Sequence, residues 1–159
     1  MPQSPDHGSA AAQISRLEAK ANIRQVLAGY FDAVQRRDWA AVSDVFVPSA
    51  HLDYGTPGVS GVAENIKLLR AGVDRLTAAS TLLGMHCIIE MDGDRAKSLT
   101  SGFTTHTPAD GTPAARMSAV TYEDEWALQL GAWRIVSRIC HHEFKGWLRL
   151  RREAGAPEI

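Results

Sequence analysis

The chain reads as an α+β domain in which helices come first and an antiparallel meander of strands follows. Three observations predict this. Between about residues 13 and 76, apolar residues recur at the i, i+3, i+4, i+7 spacing of helices that bury one stripe. Beyond about residue 82 the period falls to two, as half-buried strands require. Turn signals then divide this second half: Asp92-Gly93-Asp94, the run from Pro108 to Pro113 that contains Asp110-Gly111, and Gly131, each able to join antiparallel neighbours. Helices segregated from strands in this way make the α+β pattern.

Taken in order, residues 1–12 are mainly Pro, Ser, Gly and Ala with few large apolar groups. They bury too little surface to offset their ordering entropy, so a disordered leader is expected. The first helix is placed at about 13–37, with Ile23, Val26, Leu27, Tyr30, Phe31 and Val34 on its buried stripe. At about 100° per residue, Asp32 points away from that stripe and Gln35 lies on its border. Tyr30 is therefore buried with a hydroxyl that needs a partner. Asp38 is a good N-cap for a second helix over 39–47, which Pro48 stops. A short strand at 51–54 and a loop at 55–58 lead to a third helix, capped by Ser60, with Val62, Ile66, Leu69, Val73 and Leu76 as its stripe. Four strands follow at about 82–91, 95–107, 115–130 and 132–145. The segment 144–152 mixes basic and apolar residues and is expected to be a solvated piece that closes the sheet, rather than a membrane or partner helix. The domain thus occupies 13–148, followed by a tail at 149–159.

A chain of 159 residues is the size of one domain with a sizeable core. Its 17 basic and 18 acidic residues give a net charge of −1, which offers no field to draw nucleic acid or an anionic membrane. No apolar run approaches a membrane span, and the first residues lack the basic start and apolar middle of a signal peptide, so a cytoplasmic protein is expected. Cys87 and Cys140 both fall in predicted strands without metal or redox spacing, which reads as two buried, reduced thiols.

Several short patterns carry a resemblance: Tyr30, the Arg36-Arg37-Asp38-Trp39 turn, Phe46-x-Pro48-x-Ala50, Asp53-Tyr54, Asp92-Gly93-Asp94-x-Ala96 and Trp133-Arg134-Ile135-x-x-Arg138. In order and spacing they resemble the nuclear transport factor 2-like superfamily, in its SnoaL-like branch, over about residues 13–148. That branch includes scytalone dehydratase, bile acid 7α-dehydratase, hexachlorocyclohexane dehydrochlorinase and polyketide cyclases. The resemblance implies a cone-shaped barrel, in which a strongly curved, mostly antiparallel sheet wraps around three N-terminal helices and encloses a pocket.

The same resemblance implies candidate site residues. In the dehydrochlorinase-like pattern a histidine acts as base and an aspartate orients it. Here the aspartate's position is Gln35 and the histidine's falls on or near Leu82, so both members of the dyad are missing. Gln35 keeps hydrogen-bonding ability without charge. His86 shares strand parity with Leu82 and would project to the same face unless a bulge intervenes, which makes it the candidate for a relocated base; a hydrogen-bonded core histidine is the plain alternative. His106 lies late in the next strand, near a second histidine of the scytalone dehydratase pattern, or else at a rim. His141 and His142 are adjacent, so at most one enters a given pocket. Tyr30 matches a tyrosine that helps polarise an oxygen in the bile acid dehydratase pattern, or is a core tyrosine with one satisfied hydroxyl; Tyr54 matches one that contributes a hydroxyl to the site in the scytalone dehydratase pattern. Arg138 matches an arginine beside the leaving group, or pairs with Glu123 or another carboxylate across the sheet.

Thr121 and Glu123 set two arguments against each other. Periodicity buries Val120, Tyr122, Trp126 and Leu128 and leaves Thr121 and Glu123 in solvent, whereas the resemblance makes Thr121 and Glu123 polar pocket residues. Both hold if the apolar face packs on a second copy, so a homodimer is expected, and an enclosed Glu123 would serve as acid or base. The reading that follows is a small acid–base enzyme without metal or cofactor, a dehydratase, isomerase or cyclase for a hydrophobic, oxygenated polyketide-, steroid- or terpenoid-like molecule. His86, Tyr30 and Glu123 would be its catalytic residues, and Gln35, Tyr54, Leu82, His106, Thr121 and Arg138 its substrate-binding ones. The alternatives are a ligand-binding or interaction module of the same fold, or the small subunit of a ring-hydroxylating oxygenase.

Overall fold

The computed structural model describes the backbone of residues 9–56, 59, 61–76, 79–108 and 110–149, and the side chains of all of these except 75, 76 and 79–86. Helix α1 (Ala10–Arg36) starts where the Ser9 hydroxyl accepts the Ala12 N–H. Its first turn takes up three residues that the sequence assigned to a leader; residues 1–8 of that leader lie outside the described residues. The helix buries Ile23, Leu27, Tyr30 and Phe31 on the predicted stripe and exposes Asp32, which pairs with Arg36 one turn on at 2.7 Å. Arg37 ends it in the left-handed region at φ 58°, its N–H reaching the carbonyls of Ala33 and Val34.

Asp38 then caps α2 (Trp39–Asp44), its carboxylate accepting the Ala41 N–H at 3.1 Å. Replacing Asp38 by Ala is expected to cost about 1 kcal/mol, read as a lower urea midpoint at unchanged slope. The helix is shorter than the sequence suggests, and β1 (Phe46–Asp53) begins five residues before the expected strand. Pro48 is the reason. Expected to stop the helix, it lies instead inside an edge strand, where its missing N–H costs no central ladder bond. The β1 register is irregular between Phe46 and His51, the interval that contains Pro48.

Helix α3 (Val62–Leu76) buries Val62, Asn65 and Val73, with Ile66 and Leu69 partly covered. The Asn65 amide ties it to the strand before it by donating to the carbonyls of Leu52 and Gly61. Ser60, expected as its cap, and the side chain of Leu76 lie outside the described residues. The remaining strands are β2 (Ala79–Asp92), β3 (Arg95–Thr107), β4 (Ala114–Gln129) and β5 (Ala132–Arg149). Leu130 and Gly131 both take positive φ between the last two, as a two-residue hairpin turn requires. Strand β5 runs on to Arg149 beside Ala114, four residues past the expected strand end, while residues 150–159 of the expected tail lie outside the described residues.

The five strands lie in the order β1-β5-β4-β3-β2, antiparallel except for the parallel pair β1 and β5. The sheet is thus mixed and open, with β1 and β2 as free edges. It is neither closed nor strongly curled, which corrects the expected cone-shaped barrel. Along β4, Val120, Tyr122, Asp124 and Trp126 face the helices and are buried. The Phe31 ring of α1 lies 6.0 Å from that of Tyr122. Leu128, which periodicity placed on the same face, is instead exposed near the end of the strand.

Candidate functional site

A cavity of about 250 Å³ lies where α1, α3 and the inner sheet face meet. The stripe of α1 contributes Tyr30, Phe31 and Val34, and α3 contributes Leu68, Leu69 and Val73. Exposed lining residues such as Gln35, Thr56, His142 and Lys145 mark its mouth.

The hydroxyl of Tyr30 meets that of Tyr54 at 3.0 Å. This is the partner that the buried tyrosine of the first helix required, supplied from just past the end of β1. Burial raises the pKa of both phenols, and that of Tyr122 as well. They therefore stay protonated at neutral pH, and in the Tyr30–Tyr54 bond one hydroxyl donates while the other accepts and keeps its own O–H to donate.

Beneath them, Arg138 and Asp124 sit opposite each other in the β4–β5 register, both fully buried, with two hydrogen bonds of 2.6 and 2.9 Å. The guanidinium carbon is 4.4 Å from the Tyr30 ring centre and 4.6 Å from that of Tyr122, so two aromatic faces enclose the cation. Arg138 does pair with a carboxylate across the sheet, but with Asp124 rather than Glu123. It supports the tyrosines from below and does not itself line the cavity.

His106 lines the cavity half-buried, and its Nδ1 is buried with no hydrogen-bond partner among the described residues. Burial, followed by the nearby Arg116 cation, lowers its pKa, so the imidazole is neutral at pH 7. A buried ring nitrogen left unpaired costs about 1–3 kcal/mol. Cys140 also faces the cavity, yet burial pushes its thiol up to about 11, so it is no thiolate at neutral pH.

The structure brings Tyr30, Gln35, Tyr54 and His106 to one cavity and separates Thr121, Glu123 and Arg138 from it. Thr121 and Glu123 lie on the outer sheet face, where Thr121 bonds Ser101 at 3.1 Å and Glu123 pairs with His141 at 3.2 Å. Their expected place in the pocket is corrected: β4 keeps its period of two from Val120 to Glu125, and Tyr122 already fills the inward position. Of the adjacent histidines, His142 alone enters the cavity.

The side chains of His86 and Leu82 lie outside the described residues, but the backbone register bears on the argument that joined them. Leu82 pairs with Thr104, which lines the cavity. His86 pairs with Ser101, whose hydroxyl bonds on the outer face. The register shifts by one residue between Leu83 and His86, so a bulge intervenes between the two positions.

Arg116, Ser118, His142 and Lys145 also line the cavity without having been singled out as a group. Alternation backward along β4 from Tyr122 reaches Ser118 and Arg116, so those two were within reach of the sequence. His142 and Lys145 were not, since residues three apart on a regular strand face opposite ways. Here a bulge at Glu143 sets His142 opposite Val120 and Lys145 opposite Ser118, both inward positions.

Comparison with known proteins agrees with this architecture. A family profile described as a SnoaL-like domain matches residues 15–139. The chain is 25% identical over 128 residues to the uncharacterized protein Rv2910c of Mycobacterium tuberculosis, covering 79% of this chain and 86% of that one. Among solved structures, it superposes with a TM-score of 0.76 on a type 2 hexachlorocyclohexane dehydrochlorinase, at 14% identity over 91% of this chain and 99% of that one. A Novosphingobium aromaticivorans protein provisionally named scytalone dehydratase matches with a TM-score of 0.76 at 15% identity, over 92% and 99% of the two chains. At such identities these structures show a shared fold.

Proposed function

This chain belongs to the SnoaL-like domain family, and from that premise we propose that it is a small acid–base enzyme acting on a hydrophobic, oxygenated molecule held in the cavity. The observation that carries the reading is the Tyr30–Tyr54 hydroxyl pair, which shares its cavity with the neutral imidazole of His106. Two protonated phenols suit an oxygen on which negative charge develops. A neutral imidazole suits removal of a proton from the carbon beside that carbonyl. In a dehydration, the electrons of that C–H bond form the new double bond and the C–O bond breaks. Hydroxide leaves with the proton that the imidazolium returns. Isomerisation or cyclisation uses the same first step.

The size of the cavity supports one- and two-ring substrates over four-ring steroids, because pockets for drug-sized molecules hold roughly 300–1,000 Å³. A set of cyclic β-hydroxy ketones and enones in deuterated water tests the reading. Loss of water or uptake of deuterium beside the carbonyl is expected, and both should vanish in His106→Ala. Binding without either reaction would instead support a ligand-binding module, the reading favoured by uncharged Gln35 and Leu82 at the positions that resemble a dyad.

Self-association belongs to the same proposal. The apolar row of β4 packs on α1, so it no longer calls for a second subunit, but the outer face carries its own apolar residues. The rings of Phe103 and Phe144, each 45% exposed, lie 6.2 Å apart there, and Ile88, Leu99 and Ile139 line a groove beside them. A homodimer through this face is expected to scatter light at twice the monomer mass at micromolar concentration. A monomer mass would remove the idea.

A further inference from the structure

The side of the cavity built by β3, β4 and β5 toward its mouth differs in charge from the tyrosine wall. Arg116 and Lys145 line it together with His106 and His142, and no Asp or Glu lines it among the described residues. The stretch 75–86, whose side chains are not described, contains no Asp or Glu either. Among the described residues, three nearby carboxylates are engaged elsewhere. Asp124 is held by Arg138 beneath the tyrosines, Asp74 pairs with Arg37 and Arg70, and Glu123 pairs with His141 on the other face. Neither Arg116 nor Lys145 forms an ion pair with a carboxylate among the described residues. The electrostatic surroundings of the two imidazoles agree: after burial, cations hold their pKa values down, Arg116 at His106, and Lys145 then Arg116 at His142.

Two cations lining an apolar cavity, with no paired carboxylate among the described residues, produce a positive potential that low-dielectric walls concentrate. The arrangement also has a direction. Lys145 sits opposite Ser118 and Arg116 lies two residues further along β4, so the cations flank one end of the cavity, while Phe31, Val34 and Leu69 line its apolar side. The bulge at Glu143 is what brings Lys145 inward. We propose that the cavity selects a hydrophobic molecule bearing an anionic group, a carboxylate on a one- or two-ring body, with the anion at Arg116 and Lys145. This rests on the proposed reading of the cavity as a substrate site and names the class of substrate it takes. It also explains the lack of an acidic residue in the cavity, since an inward carboxylate would both neutralise the cations and repel the ligand.

Calorimetric titration of the full chain with 2-naphthoate and with 2-naphthamide tests it, since the two probes share shape and differ in charge. The carboxylate is expected to bind about tenfold or more tightly. The preference should shrink as sodium chloride screens the cations, and it should be lost in the Arg116→Met, Lys145→Met double variant while amide binding persists. Both side chains lie at least partly in solvent, so the variant should keep its melting temperature, and the salt series on the unaltered chain gives a second readout. Equal affinity for the two probes, or a preference that survives in the double variant, overturns the anion inference and leaves the catalytic reading standing. Failure of both probes to bind at millimolar concentration overturns both.

Discussion

Replacing Asp124 by Asn is expected to lower the melting temperature by about 10 °C, the largest stability loss foreseen for a single polar substitution in this fold. Asn preserves the shape of Asp124 but removes its charge, which leaves Arg138 as an uncompensated cation at zero exposure between two tyrosine rings. Removing one partner of such a buried pair costs about 3–5 kcal/mol, because the remaining charge keeps its desolvation penalty and loses the interaction that offset it. Arg138 cannot escape by losing its proton. Its Nη1 already lacks a partner among the described residues, so the site has little spare hydrogen bonding to offer. Combining Asp124→Leu with Arg138→Met should cost clearly less than the sum of the two single changes, since it removes both charges together. Thermal unfolding of the four proteins of that cycle measures the coupling. Additive losses would show that the two side chains stabilise the sheet independently.

His106→Ala is expected to lower kcat/KM by about 10²–10⁴-fold on any substrate found by deuterium uptake, the range typical of a positioned general base. Tyr30→Phe should cost about 10²-fold by removing one donor to the developing oxyanion. The pH profile carries a sign of its own. A base acts when neutral, and burial together with Arg116 lowers the pKa of His106. The acidic limb of kcat/KM should therefore lie below the ordinary histidine value of about 6.5, with activity flat through neutrality. His142 is lowered too, by burial, Lys145 and Arg116, so the limb alone does not identify the base. It should persist in His142→Ala. His86→Ala provides the remaining contrast: a loss as large as that of His106→Ala would return the role to His86, the residue that strand parity first suggested.

Much of the architecture was written locally. The 3.6-residue stripe through Ile23, Leu27, Tyr30 and Phe31, the Asp38 cap and the turns at Gly93 and Gly131 are each specified by residues within a few positions of one another, and the structure reproduces them. So is the inward face of β4, where strict alternation through Val120, Tyr122 and Trp126 placed Glu123 outside, against the position its resemblance suggested. The sequence also required that Tyr30 find a partner for its hydroxyl. Which group would supply it depended on how β1 meets α1, a contact across 24 residues that no local pattern encodes.

The candidate site turned on features of that second kind. Each bulge adds one residue and inverts every inward and outward assignment beyond it. One shifts the β2 register between Leu83 and His86, and the one at Glu143 lets both His142 and Lys145 face the cavity. Pro48 could stop a helix or sit in an edge strand, and only the place of β1 beside β5 decided between them. The sequence alone determined the order of elements, the helix stripes and the alternation within each regular run, because those are set by neighbours in the chain. Tertiary structure alone decided which residues share the cavity, because bulges and edges are fixed by hydrogen bonding between strands that lie far apart in sequence.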